Sequence, residues 1–188
     1  MNINPKLDEA TFHNKTVSVV GNALFLLNQE LGDKIDESDI VIRFNQAWPN
    51  KANNYKSTGG RTTHMSLVIR NGYEEMIRRN PNITFFLPRP PPIEWDRVPQ
   101  TCKKLAAIDH ATTTACTEEV KVRWPTSGCS VIWFLLNSTT CKSISVFGMD
   151  GLKTGKWYEK KPHWSGHDKL AEQKYLQRAG LDARVTIY

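Results

Sequence analysis

"KTVSVVGN", Lys15 to Asn22, is a β-branched run that stops on a Gly-Asn turn and passes straight into the apolar "ALFLLNQEL". β-Branched side chains suit a pleated, buried surface and Gly-Asn is turn chemistry, so the segment reads as strand, turn and helix. The pattern recurs along the chain. "DIVIRFN" (Asp39 to Asn45) is a second strand, "RTTHMSLVIR" (Arg61 to Arg70) a third, "EEMIRRN" a short helix, and "ITFFLP" (Ile83 to Pro88) another strand. "PRPPPIEWDRVP" then interrupts regular structure by withdrawing amide donors. Beyond it a helix opens at Pro125 and runs through Leu136, and "SISVFG" (Ser143 to Gly148) is a strand. Asp168 to Gly180 is a helix closed by glycine, and "RVTIY" is a last strand. Strands alternating with helices predict an α/β fold, a largely parallel sheet covered on both faces. A chain of 188 residues suits one domain, 1–188, and shows no internal repeat.

The formal charge of +6 and the pI near 9.2 favour an anionic partner: a nucleotide, an acidic glycan, a lipid surface or a nucleic acid. Lys and Arg are spread along the chain and form no stripe interleaved with aromatics, which argues against nucleic acid. No apolar segment reaches the ~20 residues that span a bilayer, and Met1 to Lys15 is too polar for a signal peptide. The expectation is a cytoplasmic protein whose membrane contact, if any, is peripheral. Cys102, Cys116, Cys129 and Cys141 show neither CxxC pairs nor a metal-ligand spacing with histidine, and read as buried free thiols.

In open parallel sheets ligands gather at the carboxyl ends of the strands, which makes three turns interesting together. Asn22 follows the first strand, Asn45 ends the second, and Thr126, Ser127 and Gly128 precede the long apolar helix. Each offers neutral hydrogen-bond donors, and the last adds free amides and the positive end of a helix dipole, which suit a phosphate. Each also has an ordinary structural reading: a turn residue, a strand terminator, a helix cap. "VVGN" is not the GxGxxG fingerprint and no GxxxxGK[ST] occurs, so dehydrogenases and P-loop NTPases lose support.

A second region, "GKWYEKKPHWSGHDKLAEQKYL" (Gly155 to Leu176), packs histidines, aromatics and lysines ahead of a helix. His167 stands just before that helix, where the dipole favours a neutral ring that can accept a hydroxyl proton. Glu172, one turn inside, anchors the helix start or pairs with a lysine. A plain helix-terminal role for His167, and a loop-filling role for His163, stand beside these readings.

Taken in order, these blocks resemble the sialyltransferases of the animal type. "VSVVGNALFLLNQELGDKIDESDIVIRFNQA" (Val17 to Ala47) is similar to their large sialyl motif, "PTSGCSVIWFLLNSTTCKSISVFGMDG" (Pro125 to Gly151) to the small motif, and "HDKLAE" (His167 to Glu172) to the very short His-x4-Glu motif. The resemblance implies a Rossmann-like fold, a GT-A-like variant, and an inverting glycosyltransferase. Such an enzyme moves sialic acid, or a related ulosonic acid such as Kdo, from a CMP-sugar donor to a hydroxyl of a glycan or glycolipid acceptor, with no metal. Carried over by position, Asn22, Asn45, Thr126, Ser127 and Gly128 hold CMP, His167 is the general base and Glu172 supports it. The sequence also lacks an Asp-x-Asp motif, and a single leaving phosphate is within the capacity of hydroxyls, amides and a helix terminus.

Two departures accompany the match. The family's third motif begins on a histidine, and its best counterpart, "KWYE", puts Lys156 there as a phosphate-binding point charge, with His163 in "HW" as the competing candidate. The family joins its large and small motifs by a disulfide, yet no cysteine lies between Val17 and Ala47, which fits a reducing compartment and a bacterial or viral relative. The altered third motif also admits a catalytically inactive module that binds CMP or a glycan.

Overall fold

The computed structural model describes residues 5–47, 54–68, 73–90, 105–157 and 166–188. Within them the chain runs from a 3-10 turn (Glu9–Phe12) into β1 (Thr16–Val20), a second 3-10 turn (Leu24–Asn28), α1 (Gly32–Asp36) and β2 (Ile40–Phe44). It continues through α2 (Tyr55–Thr58), β3 (His64–Ser66), α3 (Tyr73–Arg79), β4 (Thr84–Leu87) and β5 (Ala106–Ala107). Two adjacent helices follow, α4 (His110–Val120) and α5 (Ser127–Ser138), then β6 (Ser143–Phe147), α6 (Lys169–Ala179) and β7 (Val185–Ile187).

The strands form one sheet in the order β5-β4-β3-β2-β1-β6-β7, and every pair is parallel. A parallel sheet needs both faces covered, and β2 is buried at all five positions. Ile40, Ile42 and Phe44 join the core beneath α4, α5 and α6, while Val41 faces Ile35 of α1 with Val20, Leu26 and Phe147. α5 sits deepest: Val131, Ile132, Trp133, Phe134 and Leu135 are all buried because the sheet lies on one side and its neighbour helices on the other. Trp133 donates its indole N–H to Glu119 of α4 at 2.7 Å. Cys116, Cys129 and Cys141 are free and buried, and burial pushes the Cys116 thiol up to about 12.

The chain leaves β1 toward one edge, fills β2 to β5, then crosses to β6 on the other side of β1. The crevice outside the carboxyl ends of β1 and β6 is therefore the switch point, where a doubly wound sheet offers a ligand space. Gly21 makes this crevice tight: its amide donates to the Phe147 carbonyl at 2.7 Å, and a Cβ there would lie 2.3 Å from the Gly148 carbonyl oxygen.

Three expectations need correction. "ALFLLNQEL" is a 3-10 turn, since the Leu24 amide donates across the crevice to Gly155 at 2.7 Å and to the Thr154 hydroxyl at 3.1 Å. The third strand shortens to His64–Ser66. The structure adds α4, whose threonines gave no apolar period; Asp109 caps it by accepting the Thr112 amide at 2.8 Å, and Thr113 and Thr117 donate their hydroxyls back to carbonyls one turn earlier.

Candidate active site

At the switch point lies a cavity of about 350 Å³, a size suited to a small molecule. Asn22, Asn45, Thr126, Ser127, Gly128, Lys156, His167 and Glu172 all line it. Positions separated by most of the chain converge because each follows a strand or opens a helix at the same end of the sheet.

Asn45 has a left-handed backbone (φ 54), which asparagine tolerates, and its side-chain oxygen accepts the Val68 amide at 2.8 Å. That bond ties the ends of β2 and β3 together at the cavity wall. Across the cavity Lys156 forms an antiparallel bridge with Ala23, and Trp157 donates its amide to the Asn22 carbonyl at 3.0 Å. Lys156 is thereby held opposite the turn that carries Asn22. His163 lies outside the described residues.

The start of α5 carries more structure than its sequence announced. Thr126 is the N-cap, with its Oγ accepting the Cys129 amide at 3.3 Å. Its own amide and hydroxyl both donate to Glu172, each at 2.8 Å, and the Cys129 thiol donates to the same carboxylate at 3.3 Å. In an ordinary capping box the carboxylate that accepts the cap amide comes from the third helical residue. Here that residue is Cys129, and Glu172 of α6 supplies the carboxylate instead. Burial, and next the Glu172 charge, push the Cys129 thiol well up, so it remains a donor. The Thr126 hydroxyl is engaged in this clamp, which leaves the Ser127 hydroxyl and the first-turn amides of Ser127 and Gly128, which have no partner inside the helix, as the donors at the helix end. Gly128 has a packing reason as well: a Cβ there would lie 2.2 Å from Met149 Cε.

His167 sits one residue farther out than expected, because Asp168 is the N-cap of α6 and accepts the Ala171 amide at 3.0 Å. The imidazole Nδ1 is 2.7 Å from the Trp124 carbonyl. A carbonyl only accepts, so Nδ1 carries the proton and Nε2 keeps its lone pair. Glu172 Oε1 lies 3.9 Å from the same Nδ1, beyond hydrogen-bond reach. A histidine fixed in this tautomer beside a cavity is equipped to accept a proton.

Sequence reasoning missed two contributions. Arg89, just after β4, lines the cavity, but it falls in the proline-rich stretch read as a break; the carboxyl-end rule applied to β4 would have found it. The loop after β6 forms the opposite wall. Asp150 accepts the amides of Lys153 at 3.0 Å and Thr154 at 2.7 Å and the Thr154 hydroxyl at 2.6 Å, and Gln173 donates to the Gly151 carbonyl at 3.0 Å. Among the described residues no three His, Cys, Asp or Glu side chains gather in a way that could hold a metal ion, and no helix is long and apolar enough to cross a membrane.

Residues 2–87 match the family described as glycosyltransferase family 29, the sialyltransferases. Over that stretch, a little under half of the chain, the sequence is similar to the sialyltransferases. The matched part carries the turns of Asn22 and Asn45. The solved structure of a mammalian sialyltransferase is similar over 93% of this chain and 68% of its own, at a TM-score of 0.64 and 19% identity. A mammalian sialyltransferase in complex with Gal-beta-1-3GalNAc-ortho-nitrophenol gives a TM-score of 0.60 at 19% identity, over 93% of this chain and 69% of that one. At that identity the likeness speaks for the fold. No curated protein sequence matches.

Proposed function

We propose that this protein is a glycosyltransferase that moves sialic acid, or a related ulosonic acid, from its CMP donor to a glycan hydroxyl, with inversion, without a metal, and with His167 as general base. The observation that carries the reading is a single cavity at the switch point. It joins the open amides of α5, Lys156 and a histidine whose Nε2 lone pair is left available.

In the step proposed, His167 Nε2 takes the acceptor hydroxyl proton as the oxygen attacks the sugar's anomeric carbon. The bond from that carbon to the phosphate oxygen breaks, and CMP leaves with the electron pair. The Ser127 hydroxyl, the first-turn amides of α5 and Lys156 meet the charge that grows on the phosphate. Asn22 and Asn45 bracket the nucleoside side. As the ring gains its proton, the Trp124 carbonyl holds Nδ1–H and the Glu172 carboxylate lies nearby.

The test is turnover of CMP-sialic acid with a galactosyl acceptor in the presence of EDTA, following CMP release and the sialylated product. His167→Ala should lower turnover by about 10² to 10⁴ and leave CMP affinity within a few-fold. A catalytically silent CMP-binding module would show CMP affinity with no product from the wild-type protein. Activity that returns only with added divalent metal would remove the metal-free part of the reading.

A further inference from the structure

We propose that Arg89 receives the carboxylate of the donor sugar and so selects an acidic sugar over a neutral one. The proposal rests on the CMP-donor reading above. Arg89 follows β4, is half-buried and lines the cavity. Its guanidinium lies 5.2 Å from the Trp124 ring centroid, in cation–π range. Among the described residues no carboxylate pairs with it, although surface arginines such as Arg78 and Arg184 each hold one. An arginine brought into a cavity with no acid of the described residues paired to it can take an anion from a ligand.

Its position says which anion. Trp124 seats the Arg89 guanidinium on its ring and holds His167 Nδ1 with its carbonyl at 2.7 Å. Arg89 is therefore on the side of the proton acceptor. In a CMP-ulosonate the anomeric carbon bears both the leaving phosphate oxygen and the carboxylate. The carbon attacked by the activated hydroxyl thus brings its carboxylate to the neighbourhood of the base. The donor has two anionic groups, and the cavity has two cationic features. The α5 terminus with Lys156 suits the phosphate, and Arg89 suits the carboxylate through a planar, bidentate contact that lysine does not reproduce. A neutral sugar would leave the guanidinium without an anionic partner.

Arg123 provides an internal control. Its guanidinium is 5.8 Å from the same ring centroid, but it is exposed and outside the cavity lining. The experiment measures, by calorimetry without acceptor, the affinities of CMP and of a non-transferable CMP-3-fluorosialic acid. The proteins are the wild type, Arg89→Ala, Arg89→Lys and Arg123→Ala, with folding checked by circular dichroism. Arg89→Ala should weaken CMP-fluorosialic acid by about 10- to 100-fold and CMP by no more than about twofold. Arg89→Lys should fall between, and Arg123→Ala should match the wild type. Equal losses for both ligands, or unchanged affinity for both, overturn the proposal. Equal losses would place Arg89 on the nucleotide; unchanged affinities would take it off the donor altogether. If the wild type binds neither ligand, the donor reading itself fails and this inference falls with it.

Discussion

At the scale of single residues, the clamp around Glu172 decides how the site is held. One buried carboxylate accepts the Thr126 amide, the Thr126 hydroxyl and the Cys129 thiol, and so fixes α6 against the start of α5. Glu172→Gln turns one accepting oxygen into a donor that faces other donors. The variant should lose about 1–3 kcal/mol of stability and turnover with it, read by thermal unfolding and by product formation. An unchanged melting temperature would mean that the clamp does not hold the helices. His167 belongs to the opposite class, since its substitution should affect chemistry far more than stability. Asn22, Asn45, Thr126, Ser127, Gly128 and His167 were legible in the sequence because each stands at a strand end or a helix start, whereas Lys156 was reached only through the resemblance of "KWYE" to a family motif. The engagement of the Thr126 hydroxyl was not legible. Its partner lies 46 residues away, and nothing local to "PTSGC" indicates that the cap's carboxylate comes from another helix.

At the scale of elements, the loop after β6 positions the cavity's far wall. Asp150 gathers Lys153 and Thr154, the Thr154 hydroxyl accepts the Leu24 amide, and the next residues bridge to Ala23. Asp150→Ala should therefore loosen Lys156 and Asn22 together. The expected result is a several-fold rise in donor KM, on the order of 1 kcal/mol for a net hydrogen bond or two, with Asp150→Asn recovering part of it. The effect on donor KM should exceed the effect on melting temperature, since among the described residues Asp150 is bonded only to its own loop; a large drop in melting temperature with unchanged donor KM would assign Asp150 to folding alone. Elements with a clear period were readable: the β-branched strands, the apolar α5 and the glycine-closed α6. α4 was not, because only Cys116 and Val120 are buried along it and its threonines have weak helix propensity. "ALFLLNQEL" misled in the other direction: its apolar content is that of a helix, but its backbone is drawn across the crevice to the loop after β6.

At the scale of the whole molecule, the alternation of strand and helix foretold a parallel sheet, and the carboxyl-end rule foretold where its cavity would open. Strand order was not foretold, since two-residue β5 and the crossing from β5 to β6 leave no local signature. The sheet also buries a histidine whose consequence spans the whole fold. His64 on β3 is 6% exposed, lies 5.6 Å from the Phe12 ring, and meets Thr63 through Nδ1 at 2.9 Å. Burial lowers its pKa from 6.5 to about 4, so the folded protein refuses a proton that the unfolded chain accepts. The sign follows directly: the stability due to a neutral His64 is complete above pH 6.5 and is lost as pH falls from there toward about 4. The gap corresponds to at most about 3 kcal/mol. Asp39, Asp109 and Asp182, whose pKa values are lowered from 3.8, add their losses only below that window. Urea unfolding of the wild type between pH 7 and 4.5 should thus show a falling midpoint. His64→Gln, which keeps a polar group beside Thr63 and cannot take the proton, should be less stable at pH 7 but nearly flat over the same range. Parallel slopes for the two proteins would show that another group carries the acid sensitivity of the fold.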